Sequence, residues 1–196
     1  MREADAAATG PVLSYSYRPS VLGSAWQFRL TDDALFWDIG YKSGRVDYRD
    51  IERVRMSYRP ATMQGHRFIT ELWPRGHPKL NISSASWKSL VEQERLDADY
   101  SGFLAELHRR VARSGAGTVF ETGGHPARYW AGITMFAATA LGLAAMTARA
   151  VQLAAWGGAA LIGLFLLIFL WQAGNYFRRN RPGRYDPENL PAVLLP

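Results

Sequence analysis

Apolar and polar residues alternate along the first part of the chain. Leu13, Tyr15 and Tyr17 are separated by polar residues, and the same period of two recurs, between turns, as far as Ser83. A period of two places the apolar side chains on one face of a β-strand. Asp32 and Asp33 provide one of the turns between these runs. The pattern predicts about seven short strands in an antiparallel sandwich or barrel.

The period changes after the last strand, where an amphipathic helix is predicted. Its apolar positions recur at intervals of three and four residues: Tyr100, Phe103, Leu104, Leu107 and Val111. This helix ends a predicted domain over residues 12–113. Residues 1–11 are expected to form a disordered leader, and the glycine-rich residues 114–127 a linker.

Two long apolar segments follow the linker. Residues 129–148 and 151–177 contain no Asp, Glu, Lys, Arg or His. Each is long enough to cross a hydrocarbon layer of roughly 30 Å at about 1.5 Å per residue. A domain of this size cannot bury two helices that are apolar on all sides. We therefore predict a transmembrane hairpin over residues 128–177, because only Arg149 and Ala150 separate the two segments.

Arginines flank the hairpin on both sides. The juxtamembrane basic residues are Arg109, Arg110, Arg113 and Arg128 before it, and Arg178, Arg179, Arg181 and Arg184 after it. The turn between the helices carries Arg149 alone. Since basic residues stay on the cytoplasmic side, we expect a two-pass protein with both termini, including the basic tail 178–196, in the cytoplasm.

Small residues recur at intervals of four within the hairpin. Ala138 precedes Gly142 on the first helix, and Ala159 precedes Gly163 on the second, with Gly158 beside that pair. Such spacing permits close backbone packing, which we expect inside the hairpin in preference to dimerisation. The absence of acidic residues, basic residues and histidine from both segments argues against an ion or proton pathway.

Charge and composition narrow the function classes. The net charge is +6, of which residues 1–127 carry +2 and residues 128–196 carry +4. The excess beside the membrane favours anionic lipids as partners, bound without headgroup specificity, and not nucleic acid. The chain contains no cysteine, which excludes disulfides, thiolate catalysis and cysteine-bound zinc.

No motif indicates catalysis or a cofactor. His66, His77, His108 and His125 lack the spacing of metal ligands, and we expect them to face solvent or lie in loops. There is no G-x-S-x-G sequence and no glycine-rich loop after a strand to hold a phosphate. We therefore predict a protein that is not an enzyme and needs no cofactor.

Two segments resemble a known family. Residues 28–35 (FRLTDDAL) and 48–54 (YRDIERV) resemble the bacterial pleckstrin-homology-like (PH-like) domains found beside transmembrane segments. The resemblance covers residues 12–113 and implies an α+β fold, a seven-stranded antiparallel sheet capped by the helix at 98–113. It also implies a binding or assembly module in the bacterial inner (cytoplasmic) membrane. Residues 19–24 lack the basic residues with which related domains bind inositol lipids.

One strand face is basic. Arg53, Arg55 and Arg59 project from the same side of a strand, and Arg67 is expected on the paired strand. This surface could contact anionic headgroups or an acidic partner. The alternative is an ordinary solvated sheet face, balanced by Glu52 and Glu71.

The chain ends on an apolar run. Leu190, Val193, Leu194 and Leu195 follow a stretch in which prolines prevent a helix. The tail is either a frayed terminus or an extended peptide that docks on its own domain or on a partner.

Together these features predict a membrane-tethered, non-catalytic interaction or assembly module. It would be an accessory subunit that binds a protein partner or the inner-leaflet surface. The alternative is a component of a membrane enzyme or transporter whose site the sequence does not reveal. A buried pair of carboxylates, or a histidine paired with a carboxylate, would favour that alternative.

Overall fold

The computed structural model describes residues 12–62, 65–89 and 92–196, with the backbone alone at residues 60–62, 65 and 66. The predicted leader 1–11 lies outside the described residues. The chain divides into two compact units. The first, the soluble unit, ends at Thr122 and resumes at Gly183, and the second covers Gly123–Pro182.

Four consecutive strands form an antiparallel meander in the soluble unit. They are β1 (Leu13–Tyr17), β2 (Trp26–Leu30), β3 (Ala34–Asp38) and β4 (Ser43–Asp47). The alternating apolar side chains point to one face, so that Tyr15, Tyr17 and Phe28 are buried. The Thr31 amide and hydroxyl both donate to the Ala34 carbonyl and close the predicted turn.

A second sheet has five strands in the order β11-β10-β5-β6-β7. Its strands are β5 (Ile51–Thr62), β6 (Gly65–Pro74), β7 (Leu80–Ser83), β10 (Val119–Thr122) and β11 (Gly183–Arg184). β10 is parallel to β5, and the other pairs are antiparallel. A separate hairpin of β8 (Ala85–Trp87) and β9 (Gln93–Arg95) follows β7.

The predicted amphipathic helix is confirmed as α1 (Asp97–Arg113). Its apolar stripe is buried in the same core as the inner faces of both sheets. The Tyr100 hydroxyl is 2.9 Å from the Thr70 hydroxyl, so a buried hydrogen bond also joins α1 to β6. The α+β class is confirmed, and the seven expected strands correspond to β1–β7.

The predicted linker 114–127 is wrong over Val119–Thr122, which is strand β10. Burial of Phe120, which is 9% exposed, favours this pairing because an apolar ring leaves water when β10 joins the sheet. The domain therefore extends past residue 113 and includes residues from both sides of the apolar helices.

The second unit consists of two long helices. They are α2 (Pro126–Gln152) and α3 (Trp156–Arg179), joined by a short turn in which Ala154 has a φ of 55°. Both are long and apolar enough to cross a membrane. Almost none of their side chains is buried, unlike those of a core helix in a soluble protein.

Candidate functional site

The four arginines predicted to form a basic surface lie on one face of the five-stranded sheet, which we call the arginine face. Arg53 is opposite Trp73, Arg55 opposite Glu71, and Arg59 opposite Arg67. Residues between them on β5, such as Val54 and Met56, point into the core. The face is therefore the outer surface of the sheet.

A carboxylate and an aromatic ring balance one end of the arginine face. Nε and Nη2 of Arg55 donate to Oε2 of Glu121 at 3.0 and 2.6 Å, and Arg53 is 4.0 Å from Oε1 of the same residue. The guanidinium carbons of Arg55 and Arg53 are 5.0 and 5.6 Å from the Trp73 ring centroid. These cation–π contacts and ion pairs stabilise each other on a partly buried surface.

Glu121 could not be identified from the sequence as a partner of these arginines. Glu121 lies on β10, in the segment expected to be a linker. Its pairing with Arg55 depends on a parallel contact between strands 66 residues apart along the chain. The alternation in Val119–Thr122 was the available signal, but four residues are too few to distinguish a strand from a linker.

The other end of the arginine face is less well balanced. Arg59 lies 3.9 Å from Oε1 of Glu71, and that oxygen also accepts a hydrogen bond from Nζ of Lys79 at 2.8 Å. Burial and the neighbouring Arg59 lower the pKa of Arg67. Nε of Arg67 and Oγ of Ser57 are buried and have no hydrogen-bond partner within the described part of the chain.

The three predicted juxtamembrane arginines on α1 have different surroundings. Arg110 points into the domain, where Nε donates to Glu106 at 2.7 Å and Nη1 lies 3.5 Å from Asp32. Arg109 also pairs with Glu106, and only Arg113 is exposed without a described ion pair. Arg110, one of the predicted juxtamembrane basic residues, is thus paired with two acidic side chains of its own unit.

The arginines around the apolar helices occupy different environments. Arg128 and Arg178 are exposed, and Nη2 of Arg178 is 3.4 Å from the side-chain oxygen of Asn175. Arg179 is partly buried, and Arg181 is exposed. Arg184 lies in β11, opposite Glu121 of β10, and so belongs to the sheet of the soluble unit.

The C-terminal tail docks on its own domain. Thr122 pairs with Gly183, and the Tyr185 amide donates to the Phe120 carbonyl at 3.3 Å. Leu194 is 1% exposed, while Leu190 and Leu195 pack partly buried against the same core. Of the two readings of the tail, docking is the one observed, because these side chains complete the core instead of facing water.

A buried histidine links α1 to this tail. Nδ1 of His108 is 2.7 Å from the Leu104 carbonyl, and Nε2 is 2.7 Å from the Tyr185 hydroxyl. The carbonyl can only accept, so Nδ1 carries the proton and the Tyr185 hydroxyl donates to Nε2. Burial lowers the pKa of His108 to about 4 and raises the pKa of Tyr185. The imidazole is therefore neutral at physiological pH.

The expectation that the histidines face solvent or lie in loops is wrong for His108. It lies four residues after Leu104, on the apolar stripe of α1, and this position was the signal that could have revealed its burial. His77 is exposed. Nδ1 of His125 accepts a hydrogen bond from the Ala127 amide at the start of α2. No side-chain position is described for His66. Within the described ranges, no three His, Cys, Asp or Glu side chains form a metal-binding group.

A charged cleft of about 550 Å³ lies beside the C-terminal half of α1. Three of its carboxylates have arginine partners: Asp32 pairs with Arg110, Asp47 with Arg45, and Glu106 with Arg109 and Arg110. The hydrogen bond from Arg110 lowers the pKa of Glu106. A carboxylate held ionised in this way is poorly suited to act as a general acid.

The packing between the two long helices agrees with the expected one at Ala159, which is buried, and at Gly163, but differs from it at the other small residues. A side chain at Gly163 would meet Thr147 at 3.7 Å, whereas Gly142 and Gly158 face open space and Ala138 is exposed. The helices instead meet through Phe136 and Phe169, whose rings are 5.1 Å apart. Gly132 also packs against Phe177. Aromatic side chains occupy the interface, so the Ala138 and Gly142 pair does not contribute to it.

No protein-family model, curated protein or solved structure matches the chain.

Proposed function

We propose that this chain is a membrane-tethered, non-catalytic interaction module. A cytoplasmic domain is fixed to the bacterial inner membrane by two transmembrane helices, and serves as an accessory subunit that binds a protein partner or the inner-leaflet surface. The observation that carries this proposal is the pairing of Thr122 with Gly183. The domain is built from chain segments on both sides of the apolar helices.

This pairing has a consequence for membrane topology. Adjacent antiparallel strands lie about 5 Å apart, so the chain leaves the domain and returns to it at neighbouring points of one sheet. A single crossing would place the two points on opposite sides of a bilayer. The strand pair therefore supports two crossings, and the arginines flanking both helices support a cytoplasmic location for the domain.

The order of the elements supports a PH-like identity for the domain. Strands β1–β7 are followed by α1, which is the plan that the resemblance implies. Strands β8–β11 would then be additions to that plan, two of which attach the domain to the hairpin. PH-like domains usually act as binding or assembly modules, in agreement with the paired acids of the charged cleft and the neutral His108.

Cysteine labelling in intact cells tests the tether, and the natural absence of cysteine makes the unmodified chain its own control. Three exposed positions are suitable: Leu22 in the domain, Leu153 in the turn between α2 and α3, and Val193 in the tail. We expect a membrane-impermeant maleimide to label Leu153→Cys from outside, and Leu22→Cys and Val193→Cys only after lysis. Labelling of Val193→Cys from outside, with Leu22→Cys protected, would contradict the hairpin.

The interaction role has a separate test. Native mass spectrometry of the full chain, extracted in mild detergent, should detect a protein or anionic lipid bound at a fixed ratio. A chain that carries neither at any ionic strength would contradict a binding role while leaving the topology intact.

A further inference from the structure

We propose that Arg59 and Arg67, together with Ser57, form a binding site for the phosphate group of an anionic glycerophospholipid. This inference deepens the proposed function and rests on it, because it requires the domain to stand at a membrane surface. It assigns a ligand class to one end of the arginine face.

Two like charges lie directly opposite each other at this end of the face. Arg59 and Arg67 are cross-strand partners, so their Cβ atoms lie roughly 4.5–5.5 Å apart. Like charges in this position repel each other unless an anion lies between or above them. The nearest described carboxylate, Glu71, is 3.9 Å from Arg59 but also receives the Lys79 ammonium at 2.8 Å. One carboxylate thus serves both Arg59 and Lys79, and no described ion pair reaches Arg67.

The same face carries two buried hydrogen-bond donors without a described acceptor. Nε of Arg67 and Oγ of Ser57 have no hydrogen-bond partner among the described residues, and Ser57 is only 7% exposed. Ser57 lies opposite Ile69, so it is a diagonal neighbour of Arg67 at roughly 7–8 Å. A phosphate group supplies several acceptor oxygens and matches the fork of a guanidinium. Because both donor atoms are buried, the side chains of Arg59 and Arg67 would move aside when the phosphate group binds.

The other arginines of the face provide an internal comparison. Arg53 and Arg55 have the same side chain and the same orientation, yet Glu121 and Trp73 already balance them. Their charges require no external ligand. The need for an anion is therefore local to the Arg59 end of β5.

The position of this end along the sheet identifies the source of phosphate. Thr122 pairs with Met56, and Arg59 lies three residues farther along β5, about 10 Å at 3.3 Å per residue. Only residues 123–125 separate Thr122 from the first residue of α2 along the chain. A membrane entered by α2 would thus be close to Arg59, and lipid headgroups are the phosphates most concentrated there.

Lipid retention by the full chain tests the site. The purified protein in mild detergent is mixed with phosphatidylglycerol or phosphatidylcholine, and bound lipid is counted by native mass spectrometry. We compare the natural chain with Arg59→Gln/Arg67→Gln and with the matched control Arg18→Gln/Arg49→Gln, which removes the same charge from two exposed positions. Each arginine near an anionic lipid is worth about 1 kcal/mol, so the site variant, which lacks two, should retain roughly thirtyfold less phosphatidylglycerol. The control should behave like the natural chain.

Thermal midpoints give an independent readout with a distinctive sign. Without anionic lipid, the single variant Arg59→Gln should raise the midpoint, because repulsion with Arg67 is removed. With phosphatidylglycerol, the natural chain should gain more than the variant. A merely structural role for Arg59 would lower the midpoint of the variant in both conditions.

Three outcomes would overturn the proposal. Equal retention of phosphatidylglycerol by the site variant and the natural chain would place the lipid elsewhere. Binding of inorganic phosphate or soluble glycerophosphate without lipid retention would identify a soluble ligand. Retention of an acidic protein at this face, in place of lipid, would identify a protein partner. Failure of the proposed function is distinguishable, because all variants would then be released from membranes by alkaline carbonate alike.

Discussion

His108 shows how a polar side chain can belong to the core when both of its nitrogens have partners. The Leu104 carbonyl and the Tyr185 hydroxyl satisfy the two ring positions of one neutral tautomer, so burial leaves no polar atom unpaired. A charged imidazole would present a second N–H to a hydroxyl that now donates. The contact between α1 and the tail therefore depends on the protonation state of one ring.

The stability of the soluble unit should fall as pH decreases from about 6.5 to about 4. In the unfolded chain His108 binds a proton near its ordinary pKa of about 6.5, whereas the pKa in the folded chain is about 4. Within this window the unfolded state binds more protons, so acidification favours unfolding, by about 3 kcal/mol in full. Urea titrations monitored by tryptophan fluorescence at pH 7 and pH 4.5 measure the effect.

The matched variants are His108→Leu and His125→Ala. His108→Leu should be less stable at pH 7, because the Tyr185 hydroxyl loses its acceptor, but should lose less stability on acidification. His125→Ala, at an exposed position, should keep the pH dependence of the natural chain. Equal slopes in all three proteins would mean that His108 does not control the response.

Glu121 and Glu52 should differ in their contributions to stability. The Arg55 side chain is only 16% exposed, so Glu121→Gln would leave a largely buried guanidinium without its counter-charge. We expect a loss of about 2–4 kcal/mol in the free energy of unfolding. Glu52→Gln removes a pair in which Arg75 is 74% exposed, so water screens the interaction and the loss should be much smaller. Similar losses in the two variants would show that the Glu121 pair is not part of the folded core.

At the scale of elements, α1 should tolerate charge only on its outer side. Phe103 is 1% exposed within the shared core, so Phe103→Asp should destabilise the soluble unit by several kcal/mol. Ala105→Gln, on an exposed position of the same helix, should change stability by less than about 0.5 kcal/mol. Thermal denaturation monitored by circular dichroism compares them. Equal, small losses would mean that α1 does not pack on the sheets.

The elements that could be predicted from the sequence are those with enough residues to show a period. Strands β1–β7 alternate over several positions, α1 repeats its apolar stripe over four turns, and α2 and α3 are long uninterrupted apolar runs. Strand β10 has four residues between glycines, and β11 has two. Their pairing depends on β5, which is distant in sequence, and on the burial of Phe120 and Tyr185. The local sequence pattern contains neither kind of information.

Contacts between distant strands also decide the candidate site, and the sequence does not show them. The alternation along β5 correctly predicts that Arg53, Arg55 and Arg59 share one face, because successive side chains of a strand point to opposite sides of the sheet. Their different environments depend on which strand lies alongside. Glu121 reaches Arg55 only through β10, and Arg67 meets Arg59 only through the register of β5 and β6. Charge balance is thus a property of the assembled sheet.

At the scale of the whole molecule, the soluble unit is discontinuous in sequence. Its core requires Phe120 before the apolar helices and Leu194 after them. A fragment that ends at residue 117 would lack β10, β11 and the tail, and would expose apolar surface that these segments normally cover. The unit can therefore complete its fold only when the segments before and after the two long helices come together.

A short turn should be able to replace the hairpin. Thr122 and Gly183 are paired neighbours on adjacent strands, so an Asn-Gly turn in place of residues 123–182 would join them without strain. We expect this variant to be soluble and monomeric, and to unfold cooperatively. The fragment ending at residue 117 should be less stable by several kcal/mol, because the buried surfaces of Phe120, Tyr185 and Leu194 are lost. Urea unfolding of the two proteins decides the matter: equal stability would show that the returning tail is an accessory to the domain, and insolubility of both would show that the domain needs the helices themselves.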